Sequence, residues 1–94
     1  MEQRDKIEAV LKRAIEDERL TSVQLAFITT IYHLSIMNGF CNPIEVTRKK
    51  IMRAAKIKSF ATYHKIVADL VTLLYIKYVP SCNPLKYSLI EFVE

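Results

Sequence analysis

Positively charged side chains are concentrated in one stretch of the chain. Residues 48–78 contain eight lysines and arginines against the single acidic residue Asp69, a local net charge of +7, whereas the whole chain carries +4. Ammonium and guanidinium groups clustered in this way are typical of a surface that contacts the phosphates of a nucleic acid. A solvated basic face without a partner is the alternative, and charge alone does not separate the two.

Hydroxyl, imidazole and ammonium groups follow this basic run closely. They belong to Ser59, Thr62, Tyr63, His64 and Lys65. Each of these groups can hydrogen-bond to a base edge or to a phosphate oxygen, and their spacing places them on the first turns of one helix. The pattern predicts a DNA-binding helix start, with flanking phosphates held by Arg48, Lys49, Lys56, Lys58 and Lys86.

Groups capable of catalysis or metal binding are few and unfavourably spaced. His33 and Cys41 are eight residues apart, and His64 and Cys82 are eighteen apart. Neither spacing matches a zinc site or a Cys–His nucleophile pair. A single glycine excludes a glycine-rich phosphate loop, and Tyr63 lacks the arginine or metal-ligand cluster that a strand-transfer nucleophile needs. We therefore predict no enzyme activity, no cofactor and no metal.

Length and composition predict one globular domain over residues 1–94. The chain is 51% hydrophobic and 26% charged, which is typical of a folded protein rather than a disordered one. The charged N-terminus lacks the apolar segment of a signal peptide, and two cysteines make no disulfide framework. The uncharged stretch 20–44 is too rich in polar residues for a membrane span. We expect a cytoplasmic protein without membrane contact.

Two helices are predicted ahead of the basic stretch. Residues 2–19 carry one narrow apolar stripe, which either packs on the domain edge or contacts a second copy in a homodimer. Thr21 can cap the next helix, with Gln24 completing a capping box. That helix is apolar over more than half of its circumference and belongs inside the domain, with His33 in the core or at its boundary. Gly39 ends it.

Two shorter helices around a tight turn are predicted next. Thr47 can cap a helix to about Ala55, the segment 56–58 forms the turn with Ile57 as its apolar anchor, and Ser59 caps the second helix. In a helix-turn-helix the second helix presents its N-terminal turns to the major groove. Its inward stripe is predicted to comprise Phe60, Tyr63, Ile66 or Val67, Leu70, and Leu73 or Leu74.

Strand character follows from Tyr75 to Val79 and returns from Tyr87 to Val93, on either side of the loop 81–86. Two strands alone are marginally stable, so this hairpin must pack partly on the helices, through Ile76, Tyr78, Leu89 and Phe92. The predicted fold is α+β and mostly α, a winged helix-turn-helix in which four helices precede a two-stranded β-hairpin wing.

The phrase SFATYHKIVADLVTLLYIKYV resembles the recognition helix and first wing strand of bacterial winged-helix transcriptional regulators. Leu74 stands where that family usually has glycine, so a different helix cap is expected there. The wing is also similar to that of small helix-turn-helix proteins of Bacteroidetes. The resemblance covers about residues 45–92, and the residues that match the family pattern are Thr62, Leu70, Tyr75 and Ile76.

This resemblance implies sequence-specific binding of double-stranded DNA in transcription regulation, with Thr62, His64 and Lys65 as the residues that contact bases. Two alternatives remain open. One is a winged-helix protein-interaction module, for which Phe60 and Tyr63 would supply apolar contacts. The other is a DNA-binding accessory of a mobile element or a replication complex.

Overall fold

The computed structural model describes residues 2–80 and 87–94 of the chain. They form four helices and three strands, which confirms an α+β fold that is mostly helical. In chain order the elements are α1 (Glu2–Glu16), α2 (Ser22–Met37), β1 (Ile44–Val46), α3 (Arg48–Ala54), α4 (Phe60–Thr72), β2 (Ile76–Val79) and β3 (Ser88–Phe92).

The sheet has three strands, so the predicted two-stranded hairpin is wrong in its strand count. β3 lies in the centre and pairs antiparallel with both β1 and β2. β1 is three residues long and pairs with residues 88–90. Its residues alternate apolar, polar and apolar, but three residues are too few for this alternation to predict a strand. The extra strand gives the hairpin support beyond that of two strands alone.

One face of the sheet packs against the helices. Along β3 the side chains of Ser88, Ile90 and Phe92 are buried, whereas those between them are half-buried. Ile76 in β2 pairs with Phe92 and is buried with it. Leu89, which we expected to pack on the helices, alternates to the other face because successive strand residues point in opposite directions.

Three helices begin at the predicted capping residues. Thr21 Oγ1 accepts a hydrogen bond from the Gln24 amide at 3.2 Å, and Gln24 Oε1 accepts one from the Thr21 amide at 3.0 Å, which completes the capping box. Thr47 Oγ1 accepts from the first turn of α3 at 3.2 Å. Ser59 Oγ accepts from the first turn of α4 at 3.4 Å. These side chains satisfy amides that have no partner within the helix.

The same three helices end through a residue with positive φ. These residues are Gly39 (φ 74°), Lys56 (φ 63°) and Leu74 (φ 65°). After α4, the amides of Leu74 and Tyr75 donate to carbonyls of the last helical turn at 3.1 and 2.9 Å, the Schellman pattern. The expectation of a different cap at Leu74 is therefore wrong. A leucine adopts the left-handed conformation there, at a steric cost of about 1–2 kcal/mol.

α1 contributes its apolar stripe to the common core. Ile7, Val10 and Ala14 are each at most 1% exposed, so this face is not available for contact with a second copy. Ile15 lies outside the stripe at 62% exposure. The helix also ends at Glu16 rather than at residue 19.

α2 is the central helix of the fold, as predicted. Its buried side chains include Phe27, Ile28, Ile31 and Leu34. His33 is exposed, so its predicted position in or near the core is wrong. Among the described residues, no helix is both long enough and apolar enough to cross a membrane.

Candidate nucleic-acid interface

The first residues of α3 and α4 are in contact. Arg48 opens α3 and Phe60 opens α4, and the guanidinium carbon of Arg48 lies 4.0 Å from the centroid of the Phe60 ring. An arginine over an aromatic face is attracted to it electrostatically. Arg48 is half-buried in this contact, and Phe60 remains 55% exposed. The stack brings the basic first turn of α3, which includes Lys49, to the start of the second helix.

The turn between the two helices places two lysines on the surface. Ile57 is buried at 9% exposure, and its amide donates to the carbonyl of Met52 at 2.8 Å. This confirms Ile57 as the anchor of the turn. Lys56 and Lys58 flank it and are both exposed. The positions of the two charges are therefore fixed by the burial of the residue between them.

The outer side of α4 carries most of the predicted base contacts. Thr62, His64 and Lys65 are exposed, as is the capping residue Ser59, whose hydroxyl already accepts the Thr62 amide. The opposite side fixes the helix to the core. Its buried residues are Tyr63, Ile66, Val67 and Leu70.

Tyr63 is not available to a ligand, and its prediction as a DNA-binding residue is wrong. Its side chain is 0% exposed. The phenol oxygen lies 3.0 Å from that of Tyr78, and the ring makes an edge contact with Phe27 at a centroid distance of 5.9 Å. Burial, together with the hydrogen bond to Tyr78, raises the pKa of Tyr63 far above its ordinary value. The residue holds α4 against α2 and the sheet, which also excludes it as an apolar contact for a protein partner.

Lys65 is only loosely held. Its Nζ lies 3.8 Å from Asp69 Oδ2 one turn later, with the lysine side chain 79% exposed. Asp69 Oδ2 also accepts a hydrogen bond from Gln24 Nε2 at 3.2 Å. Gln24 thus links the α2 cap to α4. An exposed lysine–carboxylate pair contributes little free energy, so Lys65 can exchange this partner for a phosphate or a base.

The cations between residues 48 and 58 have no acidic partner. Within the described ranges, no carboxylate lies within 4.0 Å of any of the six. No ion pair therefore uses these charges to hold the fold together. We call Arg48, Lys49, Lys56 and Lys58 the basic edge.

Two further cations were left out of the predicted site. Lys50 and Arg53 are both exposed on α3. Lys50 lines a separate groove, shared with Glu45 and Tyr87 near the C-terminal end of α2. Both residues contribute to the net charge of the stretch 48–78, but net charge does not indicate on which side of the helix a residue lies. Lys86, predicted on the wing, lies outside the described residues.

An apolar groove adjoins the basic edge. Val23 and Ala26 of α2 line it together with Ile57 of the turn, and Lys58 and Thr62 stand at its border. Val23 is 51% exposed there, although it belongs to a helix that the sequence placed inside the domain. The groove was not predicted, because it is formed by two elements that are far apart in the sequence.

Two of the residues considered for catalysis or metal binding lie on the surface. His33 and Cys41 are both exposed. Cys82 lies outside the described residues. Among those described, no group of three or more histidine, cysteine, aspartate or glutamate side chains could hold a metal ion.

The chain matches no protein-family model, no curated protein and no solved structure. An interpretation of the basic edge therefore depends on its own geometry and charge.

Proposed function

We propose that the chain is a winged-helix domain that binds double-stranded DNA in a sequence-specific manner and serves transcription regulation. α4 inserts its first turns into the major groove, and the wing, the hairpin of β2 and β3, lies along the backbone. Thr62, His64 and Lys65 contact bases. The basic edge holds the flanking phosphates, which positions the helix without specifying sequence.

The observation that carries this proposal is the unpaired basic edge beside the start of α4. Cations that stabilise a fold are normally matched by carboxylates or carbonyls. Here Arg48 stacks on Phe60 at the start of α4, and Lys56 and Lys58 line a groove with Ser59 and Thr62. Lys49 is exposed next to Arg48 in the sequence, and the same helix start presents a hydroxyl, an imidazole and an ammonium group. Phosphate oxygens are the partners that such an arrangement fits, because arginine and lysine bind them as charged donors.

The placement of charge within α3 gives further support. Arg48, Lys49 and Lys50 occupy its first turn, and the turn contains no acidic residue. Cations are unfavourable there because the helix dipole is positive at that end. Helix stability therefore does not account for these three cations, whereas contact with an anionic partner does.

The test is the binding of the purified chain to a labelled duplex of mixed sequence, followed by fluorescence anisotropy as salt is raised. Four phosphate contacts predict a loss of affinity of about a hundredfold between about 50 and about 200 mM salt. Lys58→Ala should lower the slope of log affinity against log salt by about one. Lys12→Ala, which removes the same charge from an exposed site on α1, is the matched control.

Binding to a selected site tests the base contacts. Thr62→Ala and Lys65→Ala should weaken binding to the preferred sequence more than binding to mixed duplex. If Lys58→Ala and Lys12→Ala give the same salt slope, the basic edge does not contact phosphate and the proposal fails.

The groove beside the basic edge favours a second candidate, a protein-interaction module. Val23 and Ile57 would contact apolar side chains of the partner there, and Lys58 an acidic one. Such binding would depend weakly on salt, because few condensed counterions are released. Absence of DNA binding even at low salt would favour this candidate.

A further inference from the structure

Phe60 is a large aromatic side chain that the core does not use. The sequence placed it on the inward stripe of α4, but it is 55% exposed, whereas Phe27, Phe92, Tyr63 and Tyr75 are all at most 1% exposed. Burying a phenyl ring contributes about 1.5–3 kcal/mol, so leaving one on the surface gives up stability. Its position therefore needs a reason other than packing.

Neighbouring side chains hold the ring in place. The guanidinium carbon of Arg48 lies 4.0 Å from the ring centroid, and the ring of His64, one turn further along α4, lies at a centroid distance of 6.4 Å. Arg48 covers part of the ring, and more than half of the side chain remains accessible. A side chain restrained in this way loses less conformational entropy when it binds than a free one.

The chemistry at the start of α4 shows what the ring can recognise. In the described residues of its first two turns, Phe60 is the one large apolar side chain that is exposed, and Thr62, His64 and Lys65 beside it are polar. The edges of bases in the major groove present hydrogen-bonding groups and one apolar group, the C5-methyl of thymine. Phenylalanine is among the side chains that contact this methyl.

We propose that Phe60 determines part of the sequence preference by packing on the C5-methyl group of a thymine, at the base pair that faces the first turn of α4. This inference rests on the proposed DNA binding. It adds the identity of one base, and it assigns an apolar contact to Phe60, the one large apolar side chain exposed among the described residues of the first two turns of α4.

Deoxyuridine isolates the methyl group. It differs from thymidine only by that group and keeps the same hydrogen-bonding atoms and charge. Preferred duplexes are first selected from a random library with the wild-type chain. Each thymine of the selected site is then replaced singly by deoxyuridine, and affinity is measured for the wild type, Phe60→Ala and Phe60→Leu.

At one thymine, deoxyuridine should weaken wild-type binding about three- to fivefold, the effect of one lost methyl contact. Phe60→Ala should bind thymine and deoxyuridine duplexes equally at that position. Phe60→Leu, which keeps an apolar contact, should retain part of the discrimination. Because the side chain is exposed, both variants should keep the thermal stability of the wild type within a few degrees.

Two results would overturn the inference while leaving DNA binding intact. One is salt-sensitive binding in which no single thymine methyl matters to the wild type. The other is a Phe60→Ala variant that discriminates as well as the wild type. Failure of the proposed function would give a different result, because the wild type would then show no salt-sensitive affinity for either the thymine or the deoxyuridine duplex.

Discussion

Among the described residues an arginine lies over an aromatic ring in three places, and the two closest of these contacts differ in what surrounds the stack. Arg13 in α1 lies 4.2 Å from the centroid of Tyr75, and Arg48 in α3 lies 4.0 Å from that of Phe60. Tyr75 is 1% exposed and Phe60 is 55% exposed. The first arginine covers a buried ring, and the second covers an exposed one.

Hydrogen bonds complete the first stack. Arg13 Nη2 donates to the carbonyls of Leu74 at 2.8 Å and Val93 at 3.1 Å, and Tyr75 Oη donates to Asp17 Oδ2 at 2.7 Å. These contacts join α1 to the turn after α4 and to the end of the sheet. Arg48 is held by its ring contact, without a carboxylate or carbonyl partner among the described residues. An arginine stacked on an aromatic ring is therefore structural where its donors are used, and open to a ligand where they are not.

Removal of Arg13 should have the largest effect on stability. Arg13→Ala loses two charge-assisted hydrogen bonds and the stack, and we expect about 2 kcal/mol of the free energy of unfolding to be lost. This corresponds to a fall in Tm of about 10 °C for a domain of this size. DNA affinity of the folded fraction should not change. Denaturant unfolding and anisotropy on the same preparations measure both quantities.

Arg48→Ala is the matched variant for that comparison. It should lose less than about 1 kcal/mol of stability, the range for an exposed cation–π contact, and should weaken DNA binding. Equal losses of stability in the two variants would mean that the two stacks stabilise the fold equally. The distinction between a structural stack and one open to a ligand would then be wrong.

Lys49→Glu separates stability from binding within the basic edge. A glutamate in the first turn of α3 interacts favourably with the helix dipole, so the free energy of unfolding should rise by about 0.3–1 kcal/mol. Loss of a phosphate contact and repulsion by the new charge should lower DNA affinity by about tenfold at low salt, or about 1.4 kcal/mol. A rise in Tm with unchanged DNA affinity would show that Lys49 does not contact DNA.

Asp17 offers a pH test of the structural region. Hydrogen bonds from Arg19 and Tyr75 hold the pKa of Asp17 well below its ordinary value of 3.8. A depressed pKa contributes stability above the pKa of the unfolded chain, and this contribution is lost as the pH falls below it. Asp17→Asn should therefore be less stable than the wild type at neutral pH, by less than Arg13→Ala.

The gap in Tm between Asp17→Asn and the wild type should stay constant from pH 7 down to about 4 and narrow as the pH is lowered from about 4 towards about 2. Glu18→Gln, at an exposed neighbouring position, controls for the loss of a surface charge. A gap that also stays constant below about pH 4 would show that the ionised form of Asp17 is not what the region requires.

Local signals in the sequence predicted much of the fold. Thr21, Thr47 and Ser59 each offer a side-chain oxygen to amides within three residues, so the cap is encoded where the helix begins. The buried stripe of α4 follows from its helical spacing. These features depend on neighbours in sequence, and the structure confirms them.

Features that depend on distant partners were missed. β1 becomes a strand because residues 88–90 pair with it, and an alternation over only three residues is too short to predict that. Phe60 fits an inward helical stripe by spacing, but it lies at the helix start, where Arg48 of another element covers it. In the candidate site, periodicity placed Tyr63 on the inner stripe, yet its hydroxyl also suggested a ligand contact. Burial decides between these two readings.

Glycine substitutions at Leu74 and Lys56, the residues with positive φ that follow α4 and α3, should have the smallest effects on stability. The two variants form a matched pair, because one residue lies in each of the two regions. Leu74→Gly should relieve a steric cost of about 1–2 kcal/mol, partly offset by the greater backbone entropy that glycine has in the unfolded chain. A net gain of about 0.5 kcal/mol is expected. Leu74 is 67% exposed, so little packing is lost, and its carbonyl remains available to Arg13.

Lys56→Gly should bring a similar gain, because Lys56 has nearly the same φ as Leu74. The two variants should differ in DNA binding. Leu74→Gly keeps the wild-type salt slope, whereas Lys56→Gly loses a cation of the basic edge and should lower the slope by about one. If the two slopes are equal, Lys56 makes no phosphate contact. If both variants are destabilised, steric strain is not what limits these turns, and glycine's entropy in the unfolded chain outweighs it.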